Sequence, residues 1–175
     1  MNFRPADHEL KFQVLTAYEV EYRDLADNWR SLDGKAQGTV AIAGVFIGGA
    51  VAFAQRLSSD SSNAMRTAVG LGVLLLLVCV GFAISVLRIR TVNAPPDGDS
   101  VRKLVADLLE VSESERAGRY LGYLEDRVVA WKTGIDEVAS VNDSKATALW
   151  RAQLSLAAAI GAFAILIVLQ LYASI

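Results

Sequence analysis

The chain has very little of the residues that bind metal ions or act as nucleophiles. One cysteine, Cys79, and one histidine, His8, stand among 175 residues, which excludes an intrachain disulfide and a Cys/His zinc site. His8 has no acidic or serine partner at helical spacing, and Cys79 lies among valines and leucines, where a thiol is a small packing residue. No phosphate-binding glycine loop or hydrolase motif occurs in a suitable context. We therefore expect neither an enzyme nor a metal site.

A strong net charge is also missing. The formal net charge is −2 and the isoelectric point is about 5.4, so the chain has no overall basic field that would hold nucleic acid. Mean hydropathy is nevertheless +0.35, with 53% hydrophobic residues. The apolar residues must therefore be concentrated in blocks, as in a membrane protein with soluble parts.

Three blocks contain no Asp, Glu, Lys or Arg, and each is long enough for a helix to cross a bilayer, which takes about 20 residues. The second contains VLLLLVCV and is apolar on every side, as a lipid-facing helix can be. The sequence predicts an all-α membrane protein with three transmembrane helices plus amphipathic cytoplasmic helices. The expected segments are a cytoplasmic amphipathic helix at 1–35, spans at 36–55, 67–87 and 152–173, a short external loop at 56–66 and a cytoplasmic helical segment at 88–151.

The distribution of lysine and arginine predicts the orientation. Of the 17 basic residues, all but Arg56 and Arg66 lie in the two larger polar segments. The positive-inside rule then places the N-terminus and the segment 88–151 in the cytoplasm. Acidic residues ahead of the first block argue against a secretory signal peptide.

Two stretches show apolar residues at alternating steps of three and four, which is typical of an amphipathic helix that packs through one seam. The first seam is Leu15, Tyr18, Tyr22, Leu25, Trp29 and Leu32; the second is Leu121, Leu124, Val128, Trp131, Ile135 and Val138. We expect the seams to pack on each other or on copies of themselves. Ser112 and Glu115 have capping-box spacing ahead of the second seam, and Ser100 is the expected cap of a short helix after a Pro-Pro break.

A tetrapeptide of the form Asp-x-Lys-Ala follows each seam and leads into a span. The copies are Asp33 to Ala36 and Asp143 to Ala146. A tetrapeptide can recur by chance, but the shared order of seam, junction and span indicates a remote duplication as the alternative. Such an Asp lies near a helix N-terminus or pairs with Lys, while Lys35 and Lys145 can extend their ammonium groups to the lipid headgroups. We favour this role of membrane-boundary anchor over ligand contact.

Small residues mark one face of two spans, namely Gly44 and Gly48 in the first and Ala157 and Gly161 in the third. Such faces let helix backbones approach closely, either within one chain or between protomers of an oligomer. The spans hold no ionisable residue, which argues against an ion-coupled transporter. A three-span monomer has no room for a lumen, so a permeabilising protein of this design must assemble.

The junctions give a resemblance to a known family. Leu32 to Ala36, the arginine-rich exit and Pro-Pro between Arg88 and Pro96, and Asn142 to Ala146 resemble the PycTM family, the small transmembrane effectors of bacterial Pycsar antiphage systems, and more distantly the SLATT membrane effectors. The resemblance implies an inner-membrane protein that senses a cyclic pyrimidine nucleotide, cCMP or cUMP, made by a partner nucleotide cyclase. It further implies membrane damage that stops growth before phage mature, as in abortive infection.

If such a messenger binds, its phosphate needs a cation and its base needs an apolar face. The candidate phosphate contacts are Arg88, Arg90, Arg102 and Lys103, with Tyr120, Tyr123 and Trp131 as stacking partners. The competing interpretation is that Arg88 and Arg90 only anchor the second span at the headgroups. The competing function is a constitutive membrane scaffold or channel subunit whose cytoplasmic helices bind another protein.

Overall fold

The computed structural model describes residues 5–56, 63–88, 92 and 98–173, and apart from residues 88, 92, 111 and 112 these form four helices. They are α1 (Pro5–Arg56), α2 (Asn63–Leu87), α3 (Gly98–Glu110) and α4 (Glu113–Ala173). No strand occurs in this part of the chain. The predicted all-α class is confirmed. The Pro-Pro turn and Arg90 lie outside the described residues, as does the side chain of His8.

Helices α1 and α4 each continue through an Asp-x-Lys-Ala junction without a break. Of the two roles expected for such an aspartate, Asp33 takes the pairing with a lysine, and neither Asp33 nor Asp143 lies near a helix N-terminus. The physical reason is that neither junction contains proline, and a helical glycine such as Gly34 costs only about 1 kcal/mol relative to alanine. A continuous helix also keeps every backbone hydrogen bond internal as the chain enters lipid.

Two helices, α3 and α4, begin after α2, and the sequence predicted the start of α4 but not that of α3. Helix α4 begins directly after Ser112, whose carbonyl accepts bonds from the amides of Glu115 and Arg116 at 3.0 and 3.1 Å. This confirms the predicted start. Helix α3 begins at Gly98, so Ser100 lies in its first turn and is not its cap. Asp99 in that first turn complements the positive end of the helix dipole, which permits the earlier start.

Three helices, α1, α2 and α4, are long and apolar enough to cross a membrane. Their spanning parts leave large apolar side chains exposed, including Val45 at 76% and Ile165 at 63%. Exposing apolar surfaces of this size to water would be unfavourable, whereas they are stable in contact with the hydrocarbon core of a bilayer. The chain is a multi-pass membrane protein whose apolar helices contact the lipid bilayer.

The chain divides into two compact units. The apolar unit comprises residues 30–89 and 143–175, and its core joins α1, α2 and α4 through small and medium side chains. Cys79 is fully buried in this core, as expected for a packing residue. Phe163 lies against Gly72, where a β-carbon would meet the ring at 2.7 Å. The buried members of the central cluster are Ala43, Leu76, Cys79, Ala83, Ala152, Leu156 and Ala159.

The polar unit comprises residues 1–29 and 90–142. In this unit the two seams pack on each other, because the rings of Tyr22 and Trp131 meet edge to face with centroids 5.5 Å apart. Leu124, Ile135 and Val138 of the second seam are buried. Lys11 and Glu125 form an ion pair between the same two helices. The predicted packing of the seams is confirmed within one chain.

Candidate functional site

The most distinctive polar contact of the apolar unit is an ion pair between the two junctions. Lys145 Nζ on α4 donates to Asp33 Oδ1 on α1 at 2.6 Å. The side chain of Lys145 is only 2% exposed and that of Asp33 is 30% exposed. An ammonium group so deeply buried depends on its anionic partner, because an uncompensated charge there costs several kcal/mol. The anchor role in which Lys145 reaches out to the headgroups is therefore wrong.

The two copies of the tetrapeptide present different residues to the interior. In the first copy Ala36 is fully buried and Lys35 is exposed. In the second copy Lys145 is buried, while Asp143 and Ala146 are exposed. One residue along an α-helix is a rotation of about 100°. The two copies thus share a sequence pattern, but the inward face of the second helix is shifted by roughly one residue relative to that of the first. As a result the first copy contributes its aspartate to the ion pair and the second copy contributes its lysine.

An apolar cluster and a cation–ring contact lie close to the ion pair within the apolar unit. Ala36, Val86 and Leu149 form a buried cluster one turn further along, and Leu32 packs against it. Arg151 lies near this level with its guanidinium carbon 6.0 Å from the centroid of the Phe82 ring. A cation at that distance is attracted to the ring face. These contacts connect all three spanning helices beside the ion pair.

Three hydroxyl side chains inside the spans bond to their own helices. The hydroxyls of Thr39, Ser85 and Ser155 donate to the carbonyls of Lys35, Phe82 and Arg151 at 2.9, 2.6 and 2.9 Å. Such bonds satisfy the hydroxyls locally. They therefore give no sign of a polar pathway through the described part of one chain.

A groove of about 380 Å³ lies between α1 and α4 in the apolar unit. The residues that line it are all apolar, which suits hydrocarbon better than a nucleotide. The lining residues are Val45, Phe46, Gly49, Ala50, Phe53, Phe163, Leu166 and Ile167.

The polar unit contains a buried amide that sequence reasoning missed. Asn142 is 8% exposed, and its Nδ2 donates to the carbonyl of Leu25 at 2.9 Å. Its Oδ1 is buried with no hydrogen-bond partner in the described part of the chain. The sequence did contain a signal for this burial. The second seam ends at Val138, and continuing its alternating steps of four and three places Asn142 and then Lys145 on the same packing face.

The residues predicted to bind a messenger fall in different compact units, and Arg90 lies outside the described residues. Arg88 belongs to the apolar unit, whereas Arg102 and Lys103 are exposed on α3 in the polar unit. Arg102 lies 4.0 Å from Asp99 on the same helix. All three expected stacking partners already have contacts. Trp131 meets Tyr22, Arg127 lies 5.5 Å from the Tyr123 ring centroid, and Tyr120 also has a partner. The phosphate site stays a prediction.

The four small residues predicted to mark packing faces, Gly44, Gly48, Ala157 and Gly161, face outward. A β-carbon added at Gly44, Gly48 or Gly161 would meet no other group within 4 Å, and Ala157 is exposed. Packing between helices of one chain uses Ala43, Ala152 and Ala159 instead. Close approach to another protomer stays a prediction for the four predicted residues.

No family model, curated protein or solved structure matches the chain.

Proposed function

We propose that this chain is an antiphage effector that responds to a cyclic pyrimidine nucleotide and impairs the integrity of the inner membrane, leading to abortive infection. It acts without catalysis, as an assembly of several copies in which the polar unit is the sensor and the three spans do the damage. The fifteen-to-two distribution of basic residues, counted from the sequence, supports a cytoplasmic N-terminus.

The observation that carries the proposal is the continuity of α1 and α4. Each helix contains residues of the polar unit and residues of a span without an intervening loop. A change of helix rotation or register caused in the polar unit by a ligand therefore has a direct covalent path into the lipid. Two-state packing of helices is a known means of such switching.

The Asp33–Lys145 pair supports this proposal as the contact that holds the resting arrangement. Buried ion pairs contribute little net stability, and a buried polar contact can favour one arrangement of helices over others, as a single buried Asn does in coiled coils. In the resting chain the pair joins α1 to α4. An activated arrangement would have to satisfy both charges in another way.

A decisive experiment expresses the chain in bacteria and follows membrane potential with a voltage-sensitive dye, with and without added cCMP or cUMP. We expect depolarisation only with one of the nucleotides. Arg102→Glu, Lys103→Glu tests the phosphate contacts, with Glu113→Gln as a matched exposed variant of the same polar unit. A doubly reversed protein that still responds at the same nucleotide concentration would exclude that site.

Topology is tested separately with reporter fusions at the C-terminus. Alkaline phosphatase should be active there, and a reporter that works only in the cytoplasm should not. The reverse result would contradict the three-span orientation.

A second candidate function is a constitutive scaffold or channel subunit. Exposed apolar side chains of the polar unit favour it, since Phe12, Leu109 and Val129 are 60 to 69% exposed and would suit a protein partner. A nucleotide-cyclase gene beside the gene for this chain supports the effector. Depolarisation without any nucleotide supports the channel subunit.

A further inference from the structure

The ion pair uses one charge from each junction and leaves the other charge of each junction unused. Lys35 and Asp143 are both exposed, and neither has an ion-pair partner among the described residues. They carry opposite charges and lie two residues from Asp33 and Lys145, which meet each other directly. Lys35 and Asp143 therefore lie at about the same height along the two helices, because each is within one helical turn of the Asp33–Lys145 contact.

Their directions follow from helix geometry. Two residues along an α-helix correspond to a rotation of about 200°. Lys35 therefore points away from the side of α1 that carries Asp33, and Asp143 points away from the side of α4 that carries Lys145. The apolar unit thus has an unpaired cation on one flank and an unpaired anion on another flank at the same level.

We propose that the apolar unit binds a second copy of this chain through these flanks, with Lys35 of one copy paired with Asp143 of the next. The contact is heterologous, so each copy uses a different surface toward each neighbour, and it can repeat from copy to copy. Charge complementarity is what selects another copy as the occupant. The pair repeats the Asp33–Lys145 contact between chains, with the charges contributed by the opposite helices.

The faces that follow these charges into the membrane suit helix contact. On α4 the outward positions after Asp143 include Trp150 and Leu154, which are 65% and 58% exposed. On α1 the outward positions near Lys35 include Gly34 and Gly38, where nothing lies within 4 Å of a β-carbon position. Large side chains on one helix can occupy the space over small residues on another, and close approach of this kind drives helix association in lipid.

This interface deepens the proposed function, which requires assembly, but its test does not depend on membrane damage. Gly38→Cys and Thr147→Cys are placed in two separately tagged chains, each lacking its native thiol through Cys79→Ala, and the chains are co-expressed and oxidised in the membrane. These positions lie about one turn beyond Lys35 and Asp143 on outward faces. We expect a disulfide between the two tagged chains. Gln55→Cys, near the far end of α1, should not pair with Thr147→Cys.

Charge reversal then tests the ion pair itself. Asp143→Lys or Lys35→Asp should each lower the yield of the cross-linked species by about tenfold or more, because each replaces an attractive pair with two like charges. The chain carrying both reversals should recover the cross-link, since the pair is restored with its signs exchanged. That recovery also controls for folding defects of the single variants.

Each outcome decides the proposal. Cross-linking that is lost in the single variants and recovered in the double variant supports it. Absence of any cross-link between unreversed chains overturns the interface. An equal yield in all variants overturns the ion pair and leaves Lys35 and Asp143 as solvated boundary charges. Depolarisation without the cross-link would show that the proposed function holds and this interface does not.

Discussion

Helices α1 and α4 follow one plan, with a heptad-like seam, an Asp-x-Lys-Ala junction and an apolar span, and the fold uses the two differently. The first junction contributes Asp33 to the ion pair and exposes Lys35; the second contributes Lys145 and exposes Asp143. A difference of about one residue in helix rotation is enough to exchange these roles. Likeness of sequence at the junctions therefore preserves the residue types but not what each residue does.

The seams differ as well. All six residues of the first seam are only half-buried, whereas Leu124, Ile135 and Val138 of the second seam are buried. The second seam is therefore the centre of the polar unit, and the first covers it from one side. Substitutions in the two helices should separate these roles.

The largest effect is expected at Asp33. Asp33→Ala removes the anionic partner of a nearly fully buried ammonium group, which should lower the free energy of unfolding by about 3–5 kcal/mol. Lys145→Ala should cost less, because Asp33 keeps access to water. Thermal unfolding of the detergent-solubilised protein measures both.

The matched control is Asp143→Ala at the same position of the second junction. Asp143 is exposed, so in the detergent-solubilised monomer its loss should change stability by less than about 0.5 kcal/mol. Equal losses for the two aspartates would show that the junctions are equivalent after all.

The next effect concerns the seams. Ile135→Ala should cost about 2–5 kcal/mol, because the side chain is 5% exposed and leaves a cavity. Leu15→Ala in the half-buried seam of α1 should cost clearly less. Denaturant unfolding followed by tryptophan fluorescence reports on this region, since Trp131 lies in the same seam. A larger loss for Leu15→Ala would reverse the assignment of the central seam.

The residue before the aspartate also differs between the junctions: it is Leu32 in the first copy and Asn142 in the second. Asn142→Leu removes a bond to the Leu25 carbonyl and also a buried Oδ1 without a partner among the described residues. We expect a stability gain of about 1 kcal/mol, since burying an unpaired acceptor costs more than a typical hydrogen bond contributes. Calorimetry measures the gain. A loss of several kcal/mol would indicate that Oδ1 binds something essential, such as an ordered water.

The smallest effect is expected at Gly34. A β-carbon there meets nothing within 4 Å, so Gly34→Ala should raise stability by about 0.5–1 kcal/mol through helix propensity alone. Ser144→Ala, at the matched position of α4, should not give the same gain, because serine is already a better helix former than glycine and Ser144 has a partner that the substitution removes. A loss of stability at Gly34 in the purified monomer would mean that the glycine has a close neighbour. A loss of cross-linking alone would fit the proposed interface.

Most of the architecture could be predicted from local patterns. Long charge-free blocks predicted the spans, and steps of three and four predicted that Tyr22 and Trp131 lie on packing faces, because both signals depend only on neighbouring residues. The cap at Ser100 was wrong, and of the two roles expected for the junction aspartates the helix N-terminus was wrong, whereas the pair with lysine is confirmed for Asp33. Several residues near a helix end can serve as its first turn, and a glycine without proline does not stop a helix.

The sequence by itself determined that this chain is helical, that it has three blocks of the length and composition to span a membrane, and which faces of its helices are apolar. Only the tertiary structure decided that Lys145 is buried against Asp33, that Lys35 and Asp143 are left exposed, and that Asn142 buries an oxygen with no partner in the described chain. The reason is physical. Periodicity fixes which residues share a face of one helix, whereas the burial of a charge depends on the rotation of two helices and on the side chain that each meets across the contact.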